Sequence, residues 1–224
     1  MLRLVIANKV YSSWSLRPWL VMRALDIPFE ETVIPLKRPE TKDAIAKVSP
    51  SGKVPALIDG DVTVWESLAI IEYLAEKFPG KAVWPKDAKA RAHARAISNE
   101  MHGGFMALRQ GCPMNLAERF QTPPMSDDLK SNIARVEQIW RVTRAHFAGG
   151  RPFLFGEFSA ADAMFAPVVT RLDTYQIPVA PETRTYMDAV LSHPQMLSWT
   201  TDALKEPWTI ADFEAGHKPV HTLN

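Results

Sequence analysis

Apolar positions in the first eighty residues alternate between the patterns of strands and helices. Leu2–Ile6 is a continuous apolar run, as in a strand that is buried on both faces. Asp59-Gly60-Asp61 separates two short apolar runs and is typical of a hairpin turn. The predicted order is β-α-β-α-β-β-α, and the hairpin makes the sheet mixed rather than wholly parallel. The elements after the first strand are predicted at residues 16–25, 29–34, 41–47, 56–58, 62–64 and 67–78.

The chain beyond residue 87 carries helical patterns. Pro79-Gly80 ends the seventh element, and the two prolines and one glycine within residues 79–87 predict a linker at residues 81–87. The predicted fold class is therefore α/β plus all-α, with one domain at 1–80 and a helical domain at 88–224. Apolar spacing predicts helices at 88–108, 129–147, 160–172, 183–191 and 195–204. The last twenty residues contain two prolines and show no clear period, so they are predicted to be irregular.

Charge and composition exclude several classes of partner. The 224 residues include 26 basic and 25 acidic side chains, so no basic field for nucleic acid is expected. No stretch approaches the roughly 18 apolar residues that cross a bilayer. The first residues also lack the apolar segment of a signal peptide, so we expect no membrane association and a cytoplasmic location. The single cysteine, Cys112, cannot form an internal disulfide, and the histidines show no spacing that predicts a metal site.

The first candidate site is the polar segment YSSWSLR at residues 11–17, between the first strand and the first helix. A helix N-terminus offers unpaired N–H groups and a partial positive charge. A thiolate placed there would be stabilised, and a hydroxyl of Ser12 or Ser13 could donate a hydrogen bond to it. The alternative is that these serines only cap the helix.

The second candidate site is Lys53-Val54-Pro55, where a proline opens a strand. A cis Val54-Pro55 bond in a tight turn would leave the polar backbone groups of Val54 facing outward. An extended peptide could pair with them as an added strand, while Lys53 held a terminal carboxylate. The alternative is an ordinary proline at the edge of a sheet.

The third candidate site is Glu66-Ser67, directly before a strongly apolar helix. Ser67 is a good N-cap residue, and its hydroxyl and the first helical N–H groups would form a carboxylate site. Glu66 could accept a hydrogen bond from an ammonium group. The pair suits an α-amino acid head group, and the alternative is a capped helix beside a solvated glutamate.

Together the three segments would hold a thiol, an extended peptide and an amino-acid head group, and glutathione contains these three parts. Residues 1–80 resemble the thioredoxin-like, glutathione-binding domain of the cytosolic glutathione transferases. The stretch VPALIDGDVTVWESLAIIEYLAEKFP is close to the most recognisable segment of that family. SSWSLR resembles the zeta-class signature SSCSWR, with Trp14 where that class has cysteine. Ser12 and Arg17 also match the tau-class arrangement S-x-x-x-x-R.

The resemblance implies a set of site residues. Ser12 takes the catalytic position, with Ser13 as the alternative, and Met114, Asn115 and Cys112 become candidates for the second-substrate pocket. Cys112 is expected to be a buried or pocket-lining thiol without a redox role. In the helical domain, Ser159 and Asp162 match the structural S-x-x-D capping motif of the family. The implied glutathione contacts are Trp14, Lys53, Val54, Pro55, Glu66 and Ser67.

The resemblance also implies a function. The expected protein is a homodimeric detoxification enzyme that activates the glutathione thiol for attack on small hydrophobic electrophiles. Glutathione would be its co-substrate, and no metal is expected. Two alternatives are a glutathione-dependent isomerase that resembles maleylacetoacetate isomerase and a non-catalytic binding module of the same fold.

Overall fold

The computed structural model describes residues 1–211, 214 and 219–223. Its first part is a four-stranded sheet in the order β2-β1-β3-β4; helices follow β1, β2 and β4, and a turn joins β3 to β4. β1 pairs parallel with β2, and β3 is antiparallel to both β1 and β4. The predicted order of elements and the mixed sheet are both confirmed. The bounds are β1 Leu2–Ile6, α1 Ser13–Ala24, β2 Phe29–Val33, α2 Thr41–Ala46, β3 Ala56–Asp59, β4 Val62–Trp65 and α3 Ser67–Lys77.

Helices dominate the second part, and one of them is almost wholly buried. α7 packs against α1 of the first part and against α4 of its own part. Its alanines, which include Ala160, Ala161, Ala163 and Ala166, are fully buried and allow this close approach. The bounds are α4 Ala88–Gly103, α5 Met106–Gly111, β5 Glu118–Phe120, α6 Asp127–Phe147, α7 Ala160–Thr174, α8 Pro181–Leu191, α9 Pro194–Ala203 and β6 Pro219–Thr222.

The single helix predicted at 88–108 is wrong, because the chain breaks it into α4 and α5. A Cβ atom at Gly104 would lie 2.8 Å from the carbonyl oxygen of Glu100, so glycine is needed at this turn. Phe105 follows with a φ of 63°, in the left-handed region. The turn lets Arg109 of α5 fold back and donate hydrogen bonds to the carbonyls of Gly104 and Met101.

The prediction that the tail is wholly irregular is also wrong. β6 pairs antiparallel with β5, which lies about a hundred residues earlier in the chain. Such short strands carry too little pattern to be predicted, and their pairing depends on contacts that are distant in sequence. The tail prediction for residues 212–213, 215–218 and 224 lies outside the described residues.

Side chains in α9 and just after its end hold the loop that precedes α1. Glu206 accepts hydrogen bonds from the backbone N–H groups of Lys9 and Val10. The indole N–H of Trp199 donates to the Lys9 carbonyl. The Lys9 ammonium group is buried and lies 2.8 Å from a carboxylate oxygen of Glu31. These contacts fix the end of β1, from which the serine segment starts.

Within the described residues, every helix is too short or too polar to span a bilayer.

Candidate active site

The hydroxyl groups of Ser12 and Ser13 lie at the junction of β1 and α1, but they make different hydrogen bonds. Ser12 is the N-cap of α1: its Oγ accepts from the Ser15 N–H at 3.3 Å and donates to the Ser15 Oγ at 2.8 Å. Ser15 Oγ also accepts from the Ala7 N–H. The Ser12 proton is therefore engaged within the helix start, as the capping alternative predicts.

Ser13 is the first residue of α1, and its hydroxyl proton is donated to no described residue. Its Oγ accepts a hydrogen bond from Nη2 of Arg171, at 3.3 Å. When a cation donates a hydrogen bond to this oxygen, the Ser13 hydroxyl becomes a better donor of its own proton. Both Ser12 and Ser13 line the same cavity.

Three separate segments of the first part form one cavity of about 230 Å³. The Val54-Pro55 bond is cis, as predicted, and places both residues in the wall. Ser51, two residues before Lys53, also lines this cavity but was not predicted to be a site residue. Its small polar side chain beside the predicted contacts was the only sequence signal for this role. All six predicted glutathione contacts lie in the wall: Trp14, Lys53, Val54, Pro55, Glu66 and Ser67.

The start of α3 differs by one residue from the prediction. Glu66, with a φ of 67°, is the N-cap residue, and Ser67 is the first residue of the helix. The prediction that Ser67 is the N-cap is therefore wrong, because the Glu66 carbonyl accepts the first helical hydrogen bond, from Ile70. The Ser67 hydroxyl is buried and makes no hydrogen bond with the described residues. An unsatisfied hydroxyl in a cavity wall is available to a ligand.

A second cavity, of about 380 Å³, lies between the two parts of the chain. Trp14, Lys53 and Val54 line it as well as the first cavity, so the two cavities adjoin. The first part contributes the apolar side chains of Leu36 and Ile45 to the wall of the second cavity. The helical part contributes two apolar residues and two arginines: Pro113, Met114, Arg109 and Arg171.

Only one of the three predicted second-substrate residues lines this cavity, and that residue is Met114. Cys112 is fully buried, and burial raises the pKa of its thiol to about 12. Asn115 is also fully buried, and its side-chain oxygen accepts from the N–H groups of Ala117 and Glu118. Asn115 is therefore not in the cavity wall, contrary to the prediction, because its side chain is buried in the protein interior. Cys112 is buried rather than pocket-lining, which is the first of the two alternatives predicted for it.

Three arginine side chains meet around Trp14 and the serines. Arg17 is fully buried, makes no hydrogen bond with the described residues, and lies 4.2 Å from the centroid of the Trp14 ring. The Arg109 guanidinium lies 4.8 Å from that centroid. Burial lowers the pKa of Arg17, and the charges of Arg109 and Arg171 lower it further. An anion bound here would relieve this repulsion.

Sequence reasoning missed Arg109 and Arg171, because isolated arginines in helices carry no recognisable motif. The titratable neighbour of Trp14 is His102, whose ring makes an edge contact with Trp14 and lies 3.6 Å from a Glu66 carboxylate oxygen. Burial lowers the pKa of His102, which keeps the ring neutral at pH 7.

Among the residues that the structure describes, no cluster of histidine, cysteine and carboxylate side chains could hold a metal ion.

Two family models match the chain. The model for the glutathione S-transferase N-terminal domain matches residues 11–77, and the model for the C-terminal domain of the same family matches residues 127–202.

Individual relatives agree with these models. A probable maleylacetoacetate isomerase of Caenorhabditis elegans is 41% identical over 97 residues, which are 43% of this chain and 44% of that protein. Human glutathione S-transferase theta-1 is 35% identical over 146 residues, which are 61% of this chain and 60% of that protein. The alignments thus span about half the length of these curated relatives. A glutathione transferase homologue from Burkholderia, solved with bound glutathione, has the same fold, with a TM-score of 0.68 and 22% identity over 90% of this chain and 97% of that chain.

Proposed function

Because the chain belongs to the glutathione S-transferase family, we propose that it binds glutathione in the first cavity and joins the glutathione sulfur to an electrophile bound in the second. The observation that carries this proposal is the continuity of the two cavities across Trp14, Lys53 and Val54. Among the described residues, the Ser67 hydroxyl in the first cavity has no hydrogen-bond partner and the Ser13 hydroxyl in the second donates its proton to none. A ligand with an amino-acid head and a thiol would span both.

Each part of glutathione has a matching group in the wall. The γ-glutamyl carboxylate would accept from Ser67 and the first N–H groups of α3, while its ammonium group faced Glu66. The cysteinyl backbone would pair with Val54, and Lys53 would hold the glycyl carboxylate. These assignments place the thiol near Ser13, at the N-terminus of α1.

The proposed chemical step is nucleophilic substitution by the thiolate. The thiol releases its proton to water, the sulfur forms a bond with the electrophilic carbon, and the leaving group departs with its electron pair. A free thiol of pKa about 8.5 is only a few per cent ionised at pH 7. Lowering that pKa by about 2 units corresponds to about 2.7 kcal/mol of thiolate stabilisation. One hydrogen bond from Ser13, the N-terminus of α1 and the nearby guanidinium groups are sufficient for this.

A second candidate reaction is glutathione-dependent isomerisation, in which the sulfur adds to a double bond and later leaves. The similarity to the probable maleylacetoacetate isomerase favours it. It uses the same glutathione site and the same thiolate, so only assays with both types of substrate distinguish the two reactions. Retention on immobilised glutathione, followed by elution with free glutathione, tests the glutathione site that both reactions share. A binding module of the same fold that lacks this site would not be retained.

Ser67→Ala tests the γ-glutamyl assignment. We expect glutathione to bind about 10- to 150-fold more weakly, because one hydrogen bond to a carboxylate is lost, worth roughly 1.5–3 kcal/mol. The melting temperature should stay close to that of the wild type, because the Ser67 hydroxyl bonds to no described residue in the ligand-free protein. Calorimetric titration and thermal unfolding measure the two quantities.

The control ligand for Ser67→Ala is cysteinylglycine, which lacks the γ-glutamyl group. The wild type should bind it poorly, and the variant should bind it no worse than the wild type does. An equal loss of affinity for glutathione and for cysteinylglycine would show that Ser67 does not recognise the γ-glutamyl group.

Homodimer formation, a detoxification role and a cytoplasmic location stay predictions.

A further inference from the structure

The wall of the second cavity is positively charged. Its charged residues are Lys53, Arg109 and Arg171, and no aspartate or glutamate is among the residues that line it. Arg17 adds a third guanidinium behind Trp14. The rest of the wall is largely apolar. A cavity of this kind suits a small apolar molecule that carries negative charge.

Arg171 is the most deeply buried of the cations in this wall. Its side chain donates to the Pro167 carbonyl at 3.1 Å and to Ser13 Oγ at 3.3 Å, and its Nε has no hydrogen-bond partner among the described residues. Among the described residues, no carboxylate forms an ion pair with Arg171. A buried guanidinium without a counter-ion is costly, and an incoming anion removes that cost.

Arg109 is held in a fixed orientation on the same side of the cavity. Its Nε and Nη2 donate to the carbonyls of Gly104 and Met101, and Nη1 makes no hydrogen bond with the described residues. The side chain is half-buried beside the Trp14 ring. A guanidinium that is fixed in this way loses little conformational entropy when it binds a planar anion.

One anion accounts for only part of this charge. The glutathione thiolate near Ser13 would carry a single negative charge, whereas three guanidinium groups meet there. We infer that the second cavity selects electrophiles that carry a carboxylate, which Arg171 and Arg109 bind while Met114, Pro113 and Leu36 contact the apolar body. This inference rests on the proposed function, because the carboxylate belongs to the molecule that the thiolate attacks.

The test uses two aryl chlorides that differ in charge, 4-chloro-3-nitrobenzoate and its neutral amide. In both, sulfur replaces chloride at the same ring carbon, and chloride leaves with the bonding electron pair. We expect the wild type to conjugate the acid with a kcat/KM about 10- to 100-fold above that of the amide, the size of one charge-assisted contact. Arg171→Gln should bring this ratio close to one. Both rates should fall to the extent that Arg171 supports Ser13, so the ratio of acid to amide, and not either rate alone, is the readout.

Two further variants make the test independent of folding defects. Arg109→Gln should lower the same ratio, which covers the case that Arg171→Gln does not fold. Arg144→Gln is the matched control, because Arg144 is also half-buried but donates to the Glu182 carbonyl, away from both cavities. It should leave the ratio of acid to amide unchanged.

Binding measurements separate this inference from the proposed function. With S-methylglutathione in the first cavity no transfer can occur, and the wild type should still bind the acid more tightly than the amide. Equal affinities for the two compounds would overturn the inference, even if both were conjugated. A loss of both rates in Arg171→Gln that leaves the ratio of acid to amide at its wild-type value would also overturn it, because Arg171 would then serve the thiolate alone. Selective binding of the acid without any conjugation would instead retain the inference and reject the transferase reaction.

Discussion

Ser13→Ala is expected to lower kcat for conjugation about 10²- to 10³-fold, the usual cost of removing one preorganised donor to a developing or bound anion. The reason is the hydrogen-bond pattern. The Ser13 proton is donated to no described residue, and its oxygen accepts from Arg171. The pKa of the bound glutathione thiol should rise toward its free value of about 8.5. Ultraviolet titration of the thiolate and steady-state kinetics measure the two effects.

The matched control is Ser12→Ala, one residue earlier on the same cavity wall. Ser12 Oγ caps α1 and donates its proton to Ser15 Oγ, so its removal should cost about 1 kcal/mol of stability and leave the thiol pKa nearly unchanged. The reverse result, with the pKa shift in Ser12→Ala alone, would return the catalytic role to Ser12, as the spacing to Arg17 predicts.

Asp162→Ala is expected to lower the free energy of unfolding by about 3–5 kcal/mol at pH 7, near the upper end for a single substitution. Ser159 and Asp162 form the predicted capping box of α7. The fully buried carboxylate accepts from the Ser159 N–H at 2.9 Å, the Ser159 hydroxyl at 3.0 Å, the Leu154 N–H at 3.0 Å and the Tyr186 hydroxyl at 3.2 Å. Alanine leaves these buried donors without their acceptor.

The control for Asp162→Ala is Asp87→Ala, because Asp87 is an N-cap of the same residue type at the start of α4. Among the described residues its carboxylate accepts from the Ala90 N–H alone, and Asp87 is exposed, so its loss should cost only about 1 kcal/mol. Chemical denaturation of both variants makes the comparison. If Asp162→Ala does not fold, Tyr186→Phe removes a single donor and should cost about 1 kcal/mol. Equal losses in Asp162→Ala and Asp87→Ala would show that the buried network adds nothing to ordinary capping.

Asp162 also predicts a pH dependence of stability. Burial raises the pKa of its carboxyl in the folded protein to about 6, against 3.8 for the ordinary side chain, although the four hydrogen bonds act in the opposite direction. Between these values the folded state holds a proton that the unfolded state has released. This group therefore makes stability fall as pH rises from about 4 to about 6. The stability difference between wild type and Asp162→Ala should accordingly widen as pH is lowered from 7 to 5.

The amino-acid sequence by itself determined the features that depend on neighbouring residues. The order of elements up to α3, the cis Val54-Pro55 bond and the capping box of Ser159 and Asp162 were all predicted. In each case a few consecutive residues carry the physical cause: a run of apolar residues, a proline in a turn, or a side chain that reaches the backbone three residues away. The six predicted glutathione contacts each lie beside the start of a strand or of a helix, where the local pattern made them recognisable, and they share one wall.

Only the tertiary structure decided which groups from distant segments meet. Arg171 reaches Ser13 because α7 packs on α1, and Arg109 reaches Trp14 because the chain turns at Gly104 and Phe105. Their positive charge defines the proposed selectivity of the second cavity, yet no local pattern announces it. Other contacts between segments that are distant in sequence pair β5 with β6 and bury Cys112. Packing between segments that are far apart in the chain therefore determines the proposed second-substrate pocket, whereas the side chains of the proposed glutathione site could be recognised from short local segments.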